Sequence, residues 1–275
     1  MTMCAPAAGA ATTLRQRALH VLCLRNPEDK AAQARMLFAD AQAGLDLGRD
    51  ETLAPLPGLP GRPERPVLVP PGQVPRRSPH TEHGRAALLH AIAHIEFNAI
   101  NLALDAVWRF AGLPEAYYRD WLQVAGEEAL HFTLLRQHLN HLGHDYGDFE
   151  AHDGLWAMAD KTREDLVARM ALVPRTLEAR GLDATPLIQA KLRKAGDARA
   201  VEILQIILRD EVGHVAIGNH WYRWLCQRQG LDPVAHYEVL ARRYDAPRPK
   251  PPFNHAARRR AGFTQAELDW LERPL

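Results

Sequence analysis

Residues 121–142, WLQVAGEEALHFTLLRQHLNHL, put Trp121, Val124, Glu128, His131, Leu135, His138 and Leu142 at steps of three and four. Residues so spaced share one face of an α-helix. Glu128 and His131 interrupt an otherwise apolar seam, and at a separation of three they project side by side. The same arrangement recurs 83 positions later in residues 204–225, as Leu204, Ile207, Glu211, His214, Gly218, Trp221 and Leu225. A third seam, Leu89, Ile92, Glu96, Ala99, Ala103, Ala106 and Phe110, carries a single Glu beside small alanines.

Outward from these seams the spacing predicts four long helices over about 84–110, 114–142, 154–180 and 197–229. Gly112 with Pro114, then Gly143, Gly181 and Gly230 act as stops. No alternating strand pattern is present, so the expected class is all-α, a four-helix bundle with a long crossover. Nine prolines between Pro55 and Pro79 exclude a long helix there. The expected organisation is a helical extension over 1–50, a Pro-rich strap over 51–81, the bundle over 82–230 and a C-terminal extension over 231–275. Thr264 with Glu267 three residues on forms a capping-box signature for a last short helix.

A net charge of +1 gives no field favouring nucleic acid or membrane. No membrane-spanning run is expected. Arg15 and Arg17 precede only a short apolar patch at 18–24, so no leader is expected either. Cys4, Cys23 and Cys226 are too dispersed for a CxxC metal site or a disulfide framework. The expected setting is the reducing cytoplasm.

The Glu-x-x-His motif alone is weak, because charged residues at helical spacing usually form a solvated face. Position strengthens it: each Glu lies on the apolar seam. A buried, unpaired carboxylate costs several kcal/mol, and two divalent cations would neutralise four of them. Imidazole with carboxylate suits iron or manganese, whether two Fe, two Mn or a mixed pair. The fourth carboxylate is Glu178 or Glu164, on nearly the same face of the third helix. Glu178 lies 33 positions before Glu211, as Glu96 lies 32 before Glu128, but Pro174 threatens a kink just before it. Glu127 and Asp210, each four residues before a His of its own helix, are candidates to accept that imidazole's outer N–H.

The stretches HAIAHIEF at 90–97, EEALHF at 127–132, LEARGLD at 177–183 and RDEVGHVAIGN at 209–219 resemble the ferritin-like superfamily of di-iron carboxylate proteins. With LPGRP at 59–63 and PPFNHAAR at 251–258, they resemble more narrowly a bacterial ferritin-like family known only as a domain of unknown function. That family is similar to the tRNA-hydroxylase branch. The resemblance implies metal ligands at Glu96, Glu128, His131, Glu178, Glu211 and His214, with Glu178 preferred over Glu164.

The expected function, from the chemistry of such a centre, is a di-iron oxidoreductase that activates dioxygen or peroxide, in its most concrete form a hydroxylase. A small molecule or modified nucleoside is a candidate substrate, the electron donor is unspecified, and a homodimer is a candidate assembly. The alternatives are a ferroxidase or iron-handling protein, and a non-catalytic module stapled by metal. His90 and His94 read as core packing, and Trp221, Tyr222 and Trp224 as core aromatics. His138, His141 and His144 read as a helix-end cluster. The arginine-rich segment 242–260 reads as an arm packed on the bundle.

Overall fold

Thr13 opens the first helix with a reciprocal cap: its hydroxyl accepts from the Gln16 amide, and the Gln16 side chain accepts from the Thr13 amide. The computed structural model describes residues 12–75 and 77–273, and Cys4 lies outside them. Helix α1 (Leu14–Cys23) is followed by α2 (Pro27–Gln42), capped by Asn26 and started by a first-turn proline. Further on run α3 (Glu82–Arg109) and α4 (Glu115–His141). Helix α2 packs on α4, where Gly126 admits it: a Cβ there would stand 2.7 Å from Phe38 Cβ. Arg15 is fully buried and donates to Val107 O at 3.0 Å and Trp108 O at 2.6 Å, satisfying carbonyls that the end of α3 leaves open. Between α2 and α3, the one pairing of strand type among the described residues is an isolated bridge from Leu68 to Ala151.

Helix α3 is long and apolar enough to cross a membrane by length and composition, contrary to the sequence expectation. Yet 78% of its apolar window is buried inside the protein, as in a core helix.

The third long helix of the sequence reading is broken. It comprises α5 (Gly154–Lys161), α6 (Leu166–Leu172), a π-helical segment (Val173–Glu178) and α7 (Ala179–Lys194). Asp165 restarts the chain by accepting from the Ala168 amide at 2.9 Å. Pro174 lacks an amide hydrogen, and the chain widens into a π turn around it instead of ending. The Thr176 hydroxyl donates to Ala171 O, five residues back, at 2.8 Å.

Gly181 is not a stop. Leu182, Thr185, Gln189 and Leu192 continue a buried seam beyond it, and that burial outweighs the roughly 1 kcal/mol a helical glycine costs. Pro186, inside α7, cannot bond the Leu182 carbonyl, and Asn254 Nδ2 donates to that oxygen instead at 3.1 Å.

Helix α8 (Ala198–Gln229) is capped by Asp197 and closed by Gly230, whose φ of 66° is the left-handed conformation a glycine tolerates. Helices α3, α4, α8 and the α6–π–α7 unit form an all-α bundle around one apolar core. After α9 (Pro233–Arg243), α10 (His255–Arg260) and α11 (Gln265–Glu272) pack on α7 and α8 through a second core containing Leu182, Val215, Phe263 and Leu268. The Thr264–Glu267 capping box is formed. Within the arginine-rich segment Arg258 is buried and donates to Asp183 Oδ2 at 2.6 Å, so this part of it is packed on the bundle.

Candidate metal centre

Halfway along the bundle, α3 contributes Glu96, α4 contributes Glu128 and His131, and α8 contributes Glu211 and His214; all are buried. Glu96, Glu128, His131 and Glu211 each offer one ligand atom within 4.8 Å of the others, so this group could hold a metal ion. His131 Nδ1 lies 3.2 Å from Glu96 Oε2 and 3.3 Å from Glu128 Oε2. His214 Nδ1 lies 2.9 Å from Glu128 Oε1 and 3.9 Å from Glu211 Oε1. Glu128 therefore reaches both imidazoles, one oxygen to each.

Glu178, the last residue of the π segment, is buried and unpaired at Oε2, and its carboxyl feels Glu211 and Glu128. It stands outside the tight group of four. Glu164 is not brought to the cluster: it falls in the turn between α5 and α6, with 87% of its side chain exposed. The break after Lys161 removed the shared face on which it was a candidate.

The outer carboxylates are paired in the opposite sense to the sequence expectation. His131 Nε2 faces Asp210 Oδ2 at 3.1 Å, and His214 Nε2 faces Glu127 Oε2 at 2.7 Å. A residue four positions before a His on the same helix lies one turn away along the axis. The facing antiparallel helix instead sets its carboxylate level with the ring edge. Each acceptor is itself held, Glu127 by Gln123 Nε2 at 3.0 Å and Asp210 by Arg209 Nε at 2.7 Å. Both imidazoles thus donate outward from Nε2 and turn Nδ1 towards the inner carboxylates.

The electrostatics follow from burial and crowding. Burial, then neighbouring Glu128, raises the carboxyls of Glu96 and Glu211; burial, then Glu211 and Glu128, raises that of Glu178. Burial would also raise Glu128, but His214 and His131 hold it below the usual carboxylate range. Burial opposes charge on both imidazoles, yet Asp210 and Glu128 raise His131, and Glu128 and Glu127 raise His214. Four carboxyls in so dry a place are charged together only beside compensating positive charge; without it, burial and crowding favour their neutral forms.

The donor atoms fit cations as its source. Glu128 Oε1, Glu178 Oε2, Glu211 Oε2 and His214 Nδ1 are buried with no hydrogen-bond partner. Glu128 Oε1 and His214 Nδ1 are 2.9 Å apart as a buried ion pair, without the alignment of a good hydrogen bond.

Several of the discounted residues are core groups, whereas His141 is exposed and His144 and Trp224 are half-buried. His90 Nε2 accepts from the Gly147 amide at 2.9 Å, and His94 Nδ1 lies 2.9 Å from the Tyr146 hydroxyl. His138 pairs with Asp197 at 2.9 Å. Trp221 and Tyr222 are buried. Sequence reasoning missed Arg175, a buried cation in the π segment, because nothing in its spacing marks it as buried.

Residues 23–269 match the model of a family described as "Protein of unknown function (DUF455)". The chain is also similar to an uncharacterized protein of Haemophilus influenzae. The two are 51% identical over 256 residues, which cover 90% of this chain and 89% of the relative. No solved structure matches the chain.

Proposed function

The chain belongs to the DUF455 family, and we propose that its buried cluster is a carboxylate-bridged two-metal centre of the ferritin-like type, holding iron. The proposed activity is that of an oxidoreductase, which reduces dioxygen or peroxide and oxidises an organic substrate, in the simplest case by hydroxylation. One observation carries this reading. Three buried carboxylates and His131 offer ligand atoms within 4.8 Å of one another, His214 Nδ1 lies 2.9 Å from Glu128, and four atoms of these residues and of buried Glu178 lack any hydrogen-bond partner. Manganese, alone or mixed with iron, fits the same donors.

Glu128, with one oxygen towards each imidazole, would serve both metal positions. Glu96 and His131 would complete one position; Glu178, Glu211 and His214 would complete the other. Glu127 and Asp210 fix the imidazole tautomers by accepting their Nε2 protons. The apolar seams above and below the cluster exclude water from it. Bound iron supplies redox chemistry with dioxygen or peroxide that carboxylate and imidazole side chains alone cannot.

A second reading, metal as a structural staple, draws support from the clefts. Those of about 540 Å³, beside His138 and Arg85, and about 430 Å³, beside Trp270, are lined by none of the six candidate ligands. Mixing the ferrous protein with dioxygen separates the readings. Oxidation that stops after one round until a reductant is added supports the oxidoreductase. Iron uptake continuing far beyond the centre's capacity supports iron storage, and no oxidation supports the staple.

A further inference from the structure

Glu178 sits on the most irregular backbone of the bundle, a π turn between Pro174 and α7. Such a turn adds a residue to the helical repeat and re-aims everything after it. Pro174 opens the turn, and the side chains packed on it fix its shape.

Side chains of the C-terminal segment hold it, together with Asn219 and Tyr222 of α8 and Tyr237 of α9. On one flank of Glu178, Arg175 is buried and its Nη1 donates to Glu267 Oε1 at 2.8 Å and Asn219 Oδ1 at 3.0 Å. Its guanidinium lies 5.0–5.1 Å from the ring centres of Tyr222, Tyr237 and Phe263. Glu267 is fixed in turn by Arg223 at 2.9 Å and by the Thr264 amide at 2.7 Å. Next in the chain, the Thr176 hydroxyl lies 2.8 Å from the Tyr237 hydroxyl. On the other flank, Arg258 donates to Ala179 O at 3.3 Å and to Asp183, and Asn254 donates to Leu182 O. Residues on both sides of Glu178 are therefore gripped by chain that lies beyond the bundle. On the opposite side, Gly218 of α8 lets Pro174 close in, since a Cβ there would stand 2.6 Å from the proline ring.

We infer that the segment 254–272 is a clamp on the π turn, and that the Glu267–Arg175 pair sets where the Glu178 carboxylate stands. Arg175 and Glu267 are positioning residues: neither belongs to the cluster, and both act through the backbone that carries Glu178. The inference rests on the two-metal reading for its consequence, since a displaced Glu178 would cost the position it serves. It does not rest on that reading for the clamp itself.

The test uses the full chain with Glu267→Gln, which keeps the shape and removes the charge. Arg175→Met is the second variant. It removes the cation and its bonds together and leaves Glu267 its partner Arg223, so it guards against a misfolded first variant. Leu22→Ala, in the core of α1, is a control that destabilises far from the π turn. Two readouts are taken: cobalt(II) stoichiometry by titration calorimetry, and amide hydrogen exchange across residues 173–179. The clamp predicts one cobalt per chain in both variants against two in wild type and in the control. It also predicts exchange at least tenfold faster across residues 173–179, with α3 and α4 unchanged.

Wild-type stoichiometry and exchange in both variants would overturn the inference. Faster exchange with two cobalt ions retained would overturn the link to Glu178. If the wild-type chain takes up no cobalt, the metal reading fails, and the exchange data still decide whether the clamp exists.

Discussion

His214 Nε2 stands 2.7 Å from Glu127 Oε2, a carboxylate of the facing helix and not of its own. With His131 and Asp210 at 3.1 Å the exchange is mutual, so α4 and α8 each orient the other's imidazole. Partners of this kind commonly carry 10–100-fold of metal affinity. Glu127→Ala should weaken metal binding by about that factor. In a double-mutant cycle its effect should couple to His214→Ala and add simply to His131→Ala. Coupling to His131 instead would restore the same-helix pairing.

Glu178→Ala should lower metal content from about two per chain to about one, while the fold survives on its apolar seams. Glu164→Ala should change nothing, because that side chain is in solvent. Metal content measured side by side in the two variants checks this; loss in Glu164→Ala with retention in Glu178→Ala would contradict the assignment.

Gly218→Ala tests the close pass of α8 over Pro174. The added methyl would stand 2.6 Å from Pro174 Cβ, and both neighbours are backbone-fixed. Relieving such overpacking typically costs about 1–3 kcal/mol. Chemical denaturation should show a loss in that range, and wild-type stability would contradict the packing described.

His90 governs a pH effect away from the centre. Burial lowers its pKa from 6.5 to about 4, and the Gly147 amide donates to its Nε2, so the folded protein keeps it neutral. Between pH 6.5 and 4 the unfolded chain binds the extra proton. Stability is therefore lost as pH falls through that window, by about 3 kcal/mol for this residue. His90→Gln, which can still accept from Gly147, should reduce the dependence of the urea midpoint on pH there, leaving the share of His94, whose pKa burial also lowers to about 4. An unchanged slope would contradict the assignment.

The seams of α3, α4 and α8 were legible in the sequence because three- and four-residue spacing maps directly onto a helix face. The Glu-x-x-His pairs were legible for the same reason, and the ends at Asp197 and Gly230 because their chemistry is local. The third helix was not. Whether Pro174 ends a helix or is absorbed in a π turn depends on Gly218, Arg175 and Glu267, which converge from distant positions. The break after Lys161 falls in the polar stretch 160–165, DKTRED, where Asp165 caps a new helix, a local signal that one helix over 154–180 passes over. The exchanged carboxylates were illegible because spacing within one helix carries no information about the level of its neighbour.

The central claim is that the buried cluster holds two metals, and anomalous scattering from crystals of protein made in iron-replete cells tests it most directly. The account predicts two peaks, one beside Glu96 and His131 and the other beside Glu178, Glu211 and His214, with Glu128 between them. A single peak, or none after reconstitution with ferrous iron, would contradict it.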